Sequence, residues 1–421
     1  MSTVEALLHQ IYNYIITHVG LYPEPLLPYD PSAVAHSTPT NPLKKRVKIN
    51  IGTRKSLLAL AQADIVKEQL EQMFPELEIE IHAMATMGDK NQVTPLHSFG
   101  AKSLWTHELE HGLVEGSLDL IVHSLKDMPT QLPETCSLGA ILAREDPRDG
   151  VVFPPFSQYD HISQLPAGSV VGTSSVRRSA QLARAFPQLE FASVRGNVGT
   201  RLSKLDTPAE GAQKYACIIL AAAGLNRLGL GNRITHYLEA PEVLYAVGQG
   251  ALGIEVRKDD EQTRKFVEAL SHIPTKLACL AERSLLRTLE GGCSVPIGVT
   301  TKWINEETLQ LNAVVVSLDG TRAVDAVQLA NVTTEAEAEK LGSDVAGKLR
   351  EGGADEILEE IQGKKVEQTD EALPGGDGGA VEGMPAPVSI ATDAEGFKKD
   401  GEETPERRID ESFLVVNESH Y

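Results

Sequence analysis

Basic residues recur in one setting along this chain: each follows an apolar run that reads as a strand and falls where the next helical pattern begins. The stretches are GTRKS with Arg54, GTSSVRR with Arg177 and Arg178, VRGNVGTR with Arg195 and Arg201, and AAAGLNR with Arg227. A cation at a helix N-terminus opposes the macrodipole, so its repeated use there asks for compensation, and a bound polyanion would supply it. Helix N-termini already present N–H groups to anions, and guanidinium adds a planar fork matched to carboxylate or phosphate. Ser56, Ser174 and Ser175 at the same turns can cap the helix or donate to the ligand. Any one of these arginines also reads as a solvated surface side chain; six in equivalent positions favour a shared ligand. There is no Walker pattern, so a nucleotide is not the favoured anion.

Two further stretches carry reactive groups. HSLKDMP places Lys126 and Asp127 just past a strand, on the same rim as the arginines. A carboxylate among so many cations is held ionised, and it can stabilise a developing positive charge or move a proton; it can also simply pair with Lys126. LEGGCSVPIG places Cys293 after a helix end and two glycines, in a loop where backbone can approach a ligand. Cys217 and Cys279, in apolar runs, read as core residues. Cys293 differs from them, and its chemistry leaves two readings open, a structural thiol and a point of covalent attachment. No histidine stands near it in sequence, so a protease-like pair is unsupported.

The elements that must hold these residues alternate. VKINIG reads as a strand, and a helix follows with Ala59, Ala63, Val66, Leu70 and Met73 at spacings of four and three. LEIEIHAM, DLIVHS, SVVGT, LEFASV and YACIILA are further strand candidates, several leading into helical pattern, which indicates parallel α/β sheets with ligands beyond the carboxyl ends of the strands. PRDGVVFPP is expected to cross between two α/β units, and VLYAVGQGALGIEVR to return as strands to the first. LACLAERSLLRTLE reads as a helix stopping at Gly291, and TLQLNAVVVS with RAVDAVQLA and a helix near Ala336 to Ile361 make a smaller α+β unit. The expected domains are 46–146 with 243–262, then 147–242, then 263–363, flanked by an N-terminal extension (1–45) and an acidic tail (364–421).

Composition sets the class. The chain has 421 residues, 41% of them hydrophobic, enough for two or three packed cores. Four dispersed cysteines without a C-x-x-C pair suggest neither a disulfide framework nor a zinc site. The net charge of −20 disfavours nucleic acid as a partner. Fourteen Asp and Glu against four Lys and Arg in residues 366–421 put half of it in a tail that reads as disordered and solvated. No apolar run is long enough to span a membrane. Leu7, Leu8, Ile11, Tyr12, Ile15, Ile16 and Val19 suggest a short amphipathic helix, but no Lys or Arg precedes Lys44, so it does not read as a targeting signal and the cytoplasm is expected. Nothing demands more than a monomer.

Taken in order, GTRKSLLALAQ, HSLKDMPT, GTSSVRRSAQL, VRGNVGTRL, AAAGLNRLG, GQGALGIE and LEGGCSVPIG resemble the porphobilinogen deaminases, over about Arg46 to Gln362. The resemblance implies two α/β domains like those of periplasmic binding proteins and a smaller α+β C-terminal domain carrying the cofactor cysteine. It implies that Cys293 holds a dipyrromethane cofactor by a thioether. Four porphobilinogen molecules are then joined head to tail with loss of ammonia, and hydroxymethylbilane is released by water. Asp127 is implied as the catalytic carboxylate, stabilising the cationic azafulvene that ammonia leaves behind. Lys126, Ser56, Gln62, Ser174, Ser175, Arg177, Arg178 and Gly196 are implied at the cofactor, and Arg54, Arg195, Arg201, Arg227, Lys102 and Trp105 at the substrate. Residues 88–105 are implied as a mobile loop over the cleft, with Trp105 where many members carry Phe. On this reading Arg177→Ala or Arg195→Ala impairs chain assembly more than folding. Two other classes stay open: a non-enzymatic binder of polycarboxylates, which needs neither Asp127 nor Cys293, and a redox-sensing thiol protein.

Overall fold

The computed structural model describes residues 48–85, 106–289 and 295–361. The chain opens with strand β1 (Lys48–Arg54), helix α1 (Leu57–Met73) and strand β2 (Glu78–Met84). Ser56 caps α1 by accepting from the Ala59 amide, and Ala59, Gln62, Ala63, Val66 and Leu70 form its buried stripe. Then come α2 (His107–Glu115), β3 (Leu120–Ser124), a 3-10 turn (Leu125–Asp127) and β4 (Cys136–Ile141). The first sheet runs β2-β1-β3-β10-β4, and its inner antiparallel strand β10 (Leu252–Arg257) arrives from more than a hundred residues downstream.

Between β4 and β10 the chain builds a second sheet of the same plan. Strands β5 (Asp149–Val152), β6 (Val170–Gly172), β7 (Glu190–Ala192), β8 (Cys217–Ala221) and β9 (His236–Leu238) run in the order β7-β6-β8-β5-β9. Helices α3 (Val176–Ala185), α4 (Val198–Asp206) and α5 (Ala222–Arg227) follow β6, β7 and β8. In each sheet four of the five strands run in one direction, and the single antiparallel strand comes from a segment crossing between the sheets: β5 going out, β10 coming back. The second sheet is buried on both faces, by Val151, Val171 and Ile219 on one and Val152, Ile218 and Leu220 on the other.

Helix α6 (Glu261–Glu268) lies on the first sheet, with Val267 in its core, and α7 (Ile273–Thr288) leads to an antiparallel sheet of β11 (Ile297–Trp303), β12 (Thr308–Val316) and β13 (Ala323–Asn331). This sheet packs on α7 and α8 (Glu335–Glu351) through Ala281, Leu285, Leu309, Leu311, Leu341 and Val345. The single helix expected over Ala336 to Ile361 is interrupted at Gly352 and Gly353, the latter at φ +92°, before helix resumes over 354–361. The strand expected from Val243 begins only at Leu252: Gly248 and Gly250 adopt φ +71° and +87°, outside any β ladder, and a Cβ on Gly250 would stand 2.3 Å from the Glu145 carbonyl oxygen.

That close approach brings the two crossing segments together, and α7 bolts them. Arg144 on the outgoing segment donates to both oxygens of Glu282 on α7 at 2.6 and 2.9 Å, and its Nε donates to the Gln249 carbonyl on the returning one at 2.7 Å. Glu282 also accepts from the Gly248 amide at 2.8 Å and from Thr301 at 2.9 Å. Burial works against the Arg144 charge, but the Glu282 carboxylate outweighs it and raises the guanidinium's pKa. Replacing Glu282 with glutamine unpairs a buried cation and is expected to cost about 3 kcal/mol. An unfolding midpoint within error of the parent would show that the pair contributes nothing net.

Candidate active site

The turn after β3 is set by packing. Leu125 is buried and donates its amide to the Ala251 carbonyl at 3.0 Å, while Met128 closes the turn on the Leu125 carbonyl at 3.2 Å. This leaves Lys126 half-buried and Asp127 exposed. Burial, with Arg178 and Arg177 nearby, lowers the Lys126 pKa to about 8 against the opposing pull of Asp127 and Asp149. Gln62, in the buried stripe of α1, exchanges hydrogen bonds with the Ser124 hydroxyl at 2.8 and 3.1 Å, tying α1 to the end of β3. Arg54 ends β1, and the parallel register of β1 with β3 puts it level with His123 on the same edge.

Across from this turn, Ser174 donates to the Val194 carbonyl at 2.7 Å and lies 2.9 Å from the Ser193 hydroxyl, while Ser175 occupies the N-cap of α3 without a side-chain cap bond. Arg177 and Arg178 occupy the first turn of α3, but they point inward. They are 4% and 5% exposed, and both bind Asp149, itself 1% exposed at the start of β5. Arg177 reaches one carboxylate oxygen at 2.8 Å and the Leu244 carbonyl at 2.6 Å; Arg178 straddles the other at 3.0 and 2.7 Å and donates to the Ile219 carbonyl at 3.0 Å. The compensation that the sequence assigned to a bound polyanion is supplied at this junction by Asp149. Arg177→Ala would therefore leave a buried carboxylate short of a partner, and the expectation that it spares the fold is reversed.

The remaining cations bind backbone and hydroxyl oxygens. Arg201 donates to the Gly196 carbonyl at 2.8 Å, and Arg195 reaches Ser193 at 3.4 Å. Gly196 holds φ +112°, where a Cβ would also meet Thr200 at 2.7 Å. Burial, helped by Arg178 and Arg195 and opposed by Asp127, lowers the Arg201 pKa to about 10. Arg227 donates to the Gly250 carbonyl at 2.7 Å, and burial lowers its pKa against the pull of Glu145. Asp127 and Arg178 thus act on both Lys126 and Arg201, which gathers residues of both sheets into one space beyond the carboxyl ends of their strands. Burial disfavours the charged forms of Lys126, Arg201 and Arg227, and a ligand carrying several carboxylates would favour them. The four carboxylates of a dipyrromethane fit this donor set.

Cys293, Lys102 and Trp105, with the expected loop over 88–105, the N-terminal helix and the acidic tail, lie outside the described residues. Among the described residues no group of His, Cys, Asp and Glu could hold a metal ion, and no helix is long and apolar enough to cross a membrane. Sequence reasoning missed Asp149 and Gln249, although PRDG and GQG were both in view as crossing or family stretches. Gly248 to Gly253 also spell G-x-G-x-x-G, but they open onto a strand and not a helix, so they make no dinucleotide site.

The profile described as porphobilinogen deaminase, dipyromethane cofactor binding domain, matches residues 49–265, and that of the porphobilinogen deaminase C-terminal domain matches 276–351. The chain belongs to the porphobilinogen deaminase family. It is 54% identical over 319 residues to a porphobilinogen deaminase of Yarrowia lipolytica, covering 75% of this chain and 93% of that one. With those of Candida albicans and Saccharomyces cerevisiae it shares 50% identity over 319 residues and 49% over 320, covering 74% of this chain in each case and 92% and 97% of theirs. The substrate binding domain of a putative molybdenum ABC transporter from Clostridium difficile aligns at 13% identity with a TM-score of 0.33 over 54% of this chain and 94% of that one, a likeness too slight to argue from. Membership of the porphobilinogen deaminase family sets aside the non-enzymatic binder and the thiol sensor.

Proposed function

We propose that this chain is a transferase that joins four porphobilinogen molecules head to tail, releasing ammonia at each addition, on a dipyrromethane held by Cys293, and then frees hydroxymethylbilane with water. The observation that carries the reading is the placement of Asp127: an exposed carboxylate on a rigid turn, sharing its surroundings with Lys126 and Arg201. The dipyrromethane, when bound, supplies the pyrrole carbon to which the first substrate is joined. Lys126, Arg201 and Arg195 hold carboxylates of the cofactor and the growing chain, and Ser174 and Ser175 donate to them. Ser56, Gln62 and Gly196 shape the cofactor side; Arg54, Arg227, Lys102 and Trp105 serve the substrate. Arg177 and Arg178, both held by Asp149, support the cofactor side by fixing the start of α3.

Asp127 accepts the pyrrole N–H of the incoming unit. It stabilises the positive charge that grows as ammonia departs and receives or returns the proton that must move.

Domains at 46–146 with 243–262, at 147–242 and at 263–363 are part of this reading; one sheet in each supports it, and the packing of Val267 and Leu270 supports carrying the first domain on through α6. A cytoplasmic monomer that binds neither nucleic acid nor membrane is the simplest setting for this reaction.

The intact mass of the purified protein beside its Cys293→Ser variant tests the proposal. A parental excess equal to two pyrrole units, absent in the variant, is the expected result. A parent that stays unmodified after incubation with porphobilinogen would sink the covalent cofactor.

A further inference from the structure

The mechanism leaves one buried side chain at the centre of the site unused. Gln249, 1% exposed, stands between the two glycines of the returning segment. Its Oε1 accepts from Lys126 Nζ at 3.4 Å; its Nε2 donates to the Pro147 carbonyl at 2.7 Å and to Asp149 Oδ1 at 2.8 Å. Its own carbonyl takes the Arg144 Nε at 2.7 Å. One planar amide thus touches the lysine of the first sheet, the outgoing crossing segment, and the carboxylate that clamps Arg177 and Arg178 on the second.

We propose that Gln249 is a positioning residue that couples the occupation of Lys126 by a ligand carboxylate to the two crossing segments, so that loading of the site is felt where the sheets join. The inference rests on Lys126 being a ligand anchor. The lysine contact is long and its acceptor neutral, whereas charge-assisted bonds to a carboxylate are shorter, about 2.7–2.9 Å, and roughly twice as strong. A ligand carboxylate therefore draws the ammonium away. Oε1 and Nε2 share one rigid plane, so departure of the ammonium removes one of the three bonds that fix that plane and leaves the amide held by Pro147 and Asp149 alone. The charged groups facing Lys126 are Asp127 from its own turn, Arg177 and Arg178 from α3, and Asp149 from β5.

The test uses the full-length, cofactor-loaded enzyme and the variants Gln249→Glu, Gln249→Met and Lys126→Gln, with kcat/KM for porphobilinogen followed against pH and the melting midpoint recorded for each. The ammonium is the form that binds, so kcat/KM falls on the alkaline side as Lys126 loses its proton. Glutamate facing Lys126 favours the ammonium and shifts this alkaline limb upward by about one pH unit, with a raised KM because it competes with the ligand. Methionine removes the acceptor and shifts the limb downward. It adds no charge beside Asp149, so it keeps the test open where the glutamate variant does not fold. Lowered midpoints with an unmoved limb in both variants would reduce Gln249 to a structural strut and overturn the coupling. A Lys126→Gln enzyme with the parental KM and kcat would instead overturn the anchor reading beneath it.

Discussion

Replacing Asp149 with asparagine is expected to destabilise the fold by about 3–5 kcal/mol and to abolish turnover, the largest loss for any single residue in the described structure. Asparagine keeps the shape and one acceptor but removes the charge that two buried guanidiniums share. Arg177 and Arg178 each keep a carbonyl partner, Leu244 and Ile219, yet neither carbonyl neutralises a cation. The Gln249 amide would lose a charged acceptor as well. Burial alone would raise the Asp149 pKa, but the two arginines hold its carboxyl far below the usual carboxylate range. The sign of the linkage follows: the stabilisation is complete above the unfolded-state value of about 3.9 and is lost only as pH falls through the lower folded value. The deficit of the variant should therefore be constant from neutral pH down to about pH 5. A midpoint within about 1 kcal/mol of the parent, by urea unfolding at neutral pH, would show that the arginines find other partners.

Asp127→Asn should separate chemistry from stability. The side chain is exposed on a turn held by Leu125 and Met128, so its charge does little for the fold and the melting midpoint should stay close to the parent. Turnover should fall by about 10²- to 10⁴-fold, the usual span for a group that moves a proton or faces a developing charge. Asparagine accepts a pyrrole N–H but carries neither the charge nor the basicity. Single-turnover analysis of enzyme carrying one, two, three or four added units, resolved by mass, would show every addition slowed alike. A turnover within threefold of the parent would remove Asp127 from the chemistry.

What the sequence disclosed follows the range of the interactions. The alternation of strands and helices, the buried stripe of α1 and the Lys126–Asp127 turn are local patterns, and the structure contains them. Strands β4, β5 and β9 do not stand out in the sequence: CSLGAI carries a glycine, DGVV sits between prolines, and HYL is three residues with no helical pattern after it. The inward turn of Arg177 and Arg178 was illegible for another reason. Their partner lies in a different element, and only the tertiary packing of β5 beside β8 brings it there. Two adjacent arginines after a glycine turn look the same whether they await a ligand or grip a buried aspartate. Gln249 was in plain view within GQG, but a glutamine gives no signal of its own until the two segments it joins are seen side by side.

The placement of β10 dictates an order of assembly. All five strands of the second sheet lie within Asp149–Leu238, so that unit can close as soon as its last strand has left the ribosome. The first sheet began earlier in the chain but cannot finish earlier: until Leu252–Arg257 emerges, β3 and β4 face each other across a gap one strand wide. The protein is thus completed from its middle outward, and a chain halted before residue 257 would carry a finished inner unit beside two raw strand edges open to aggregation.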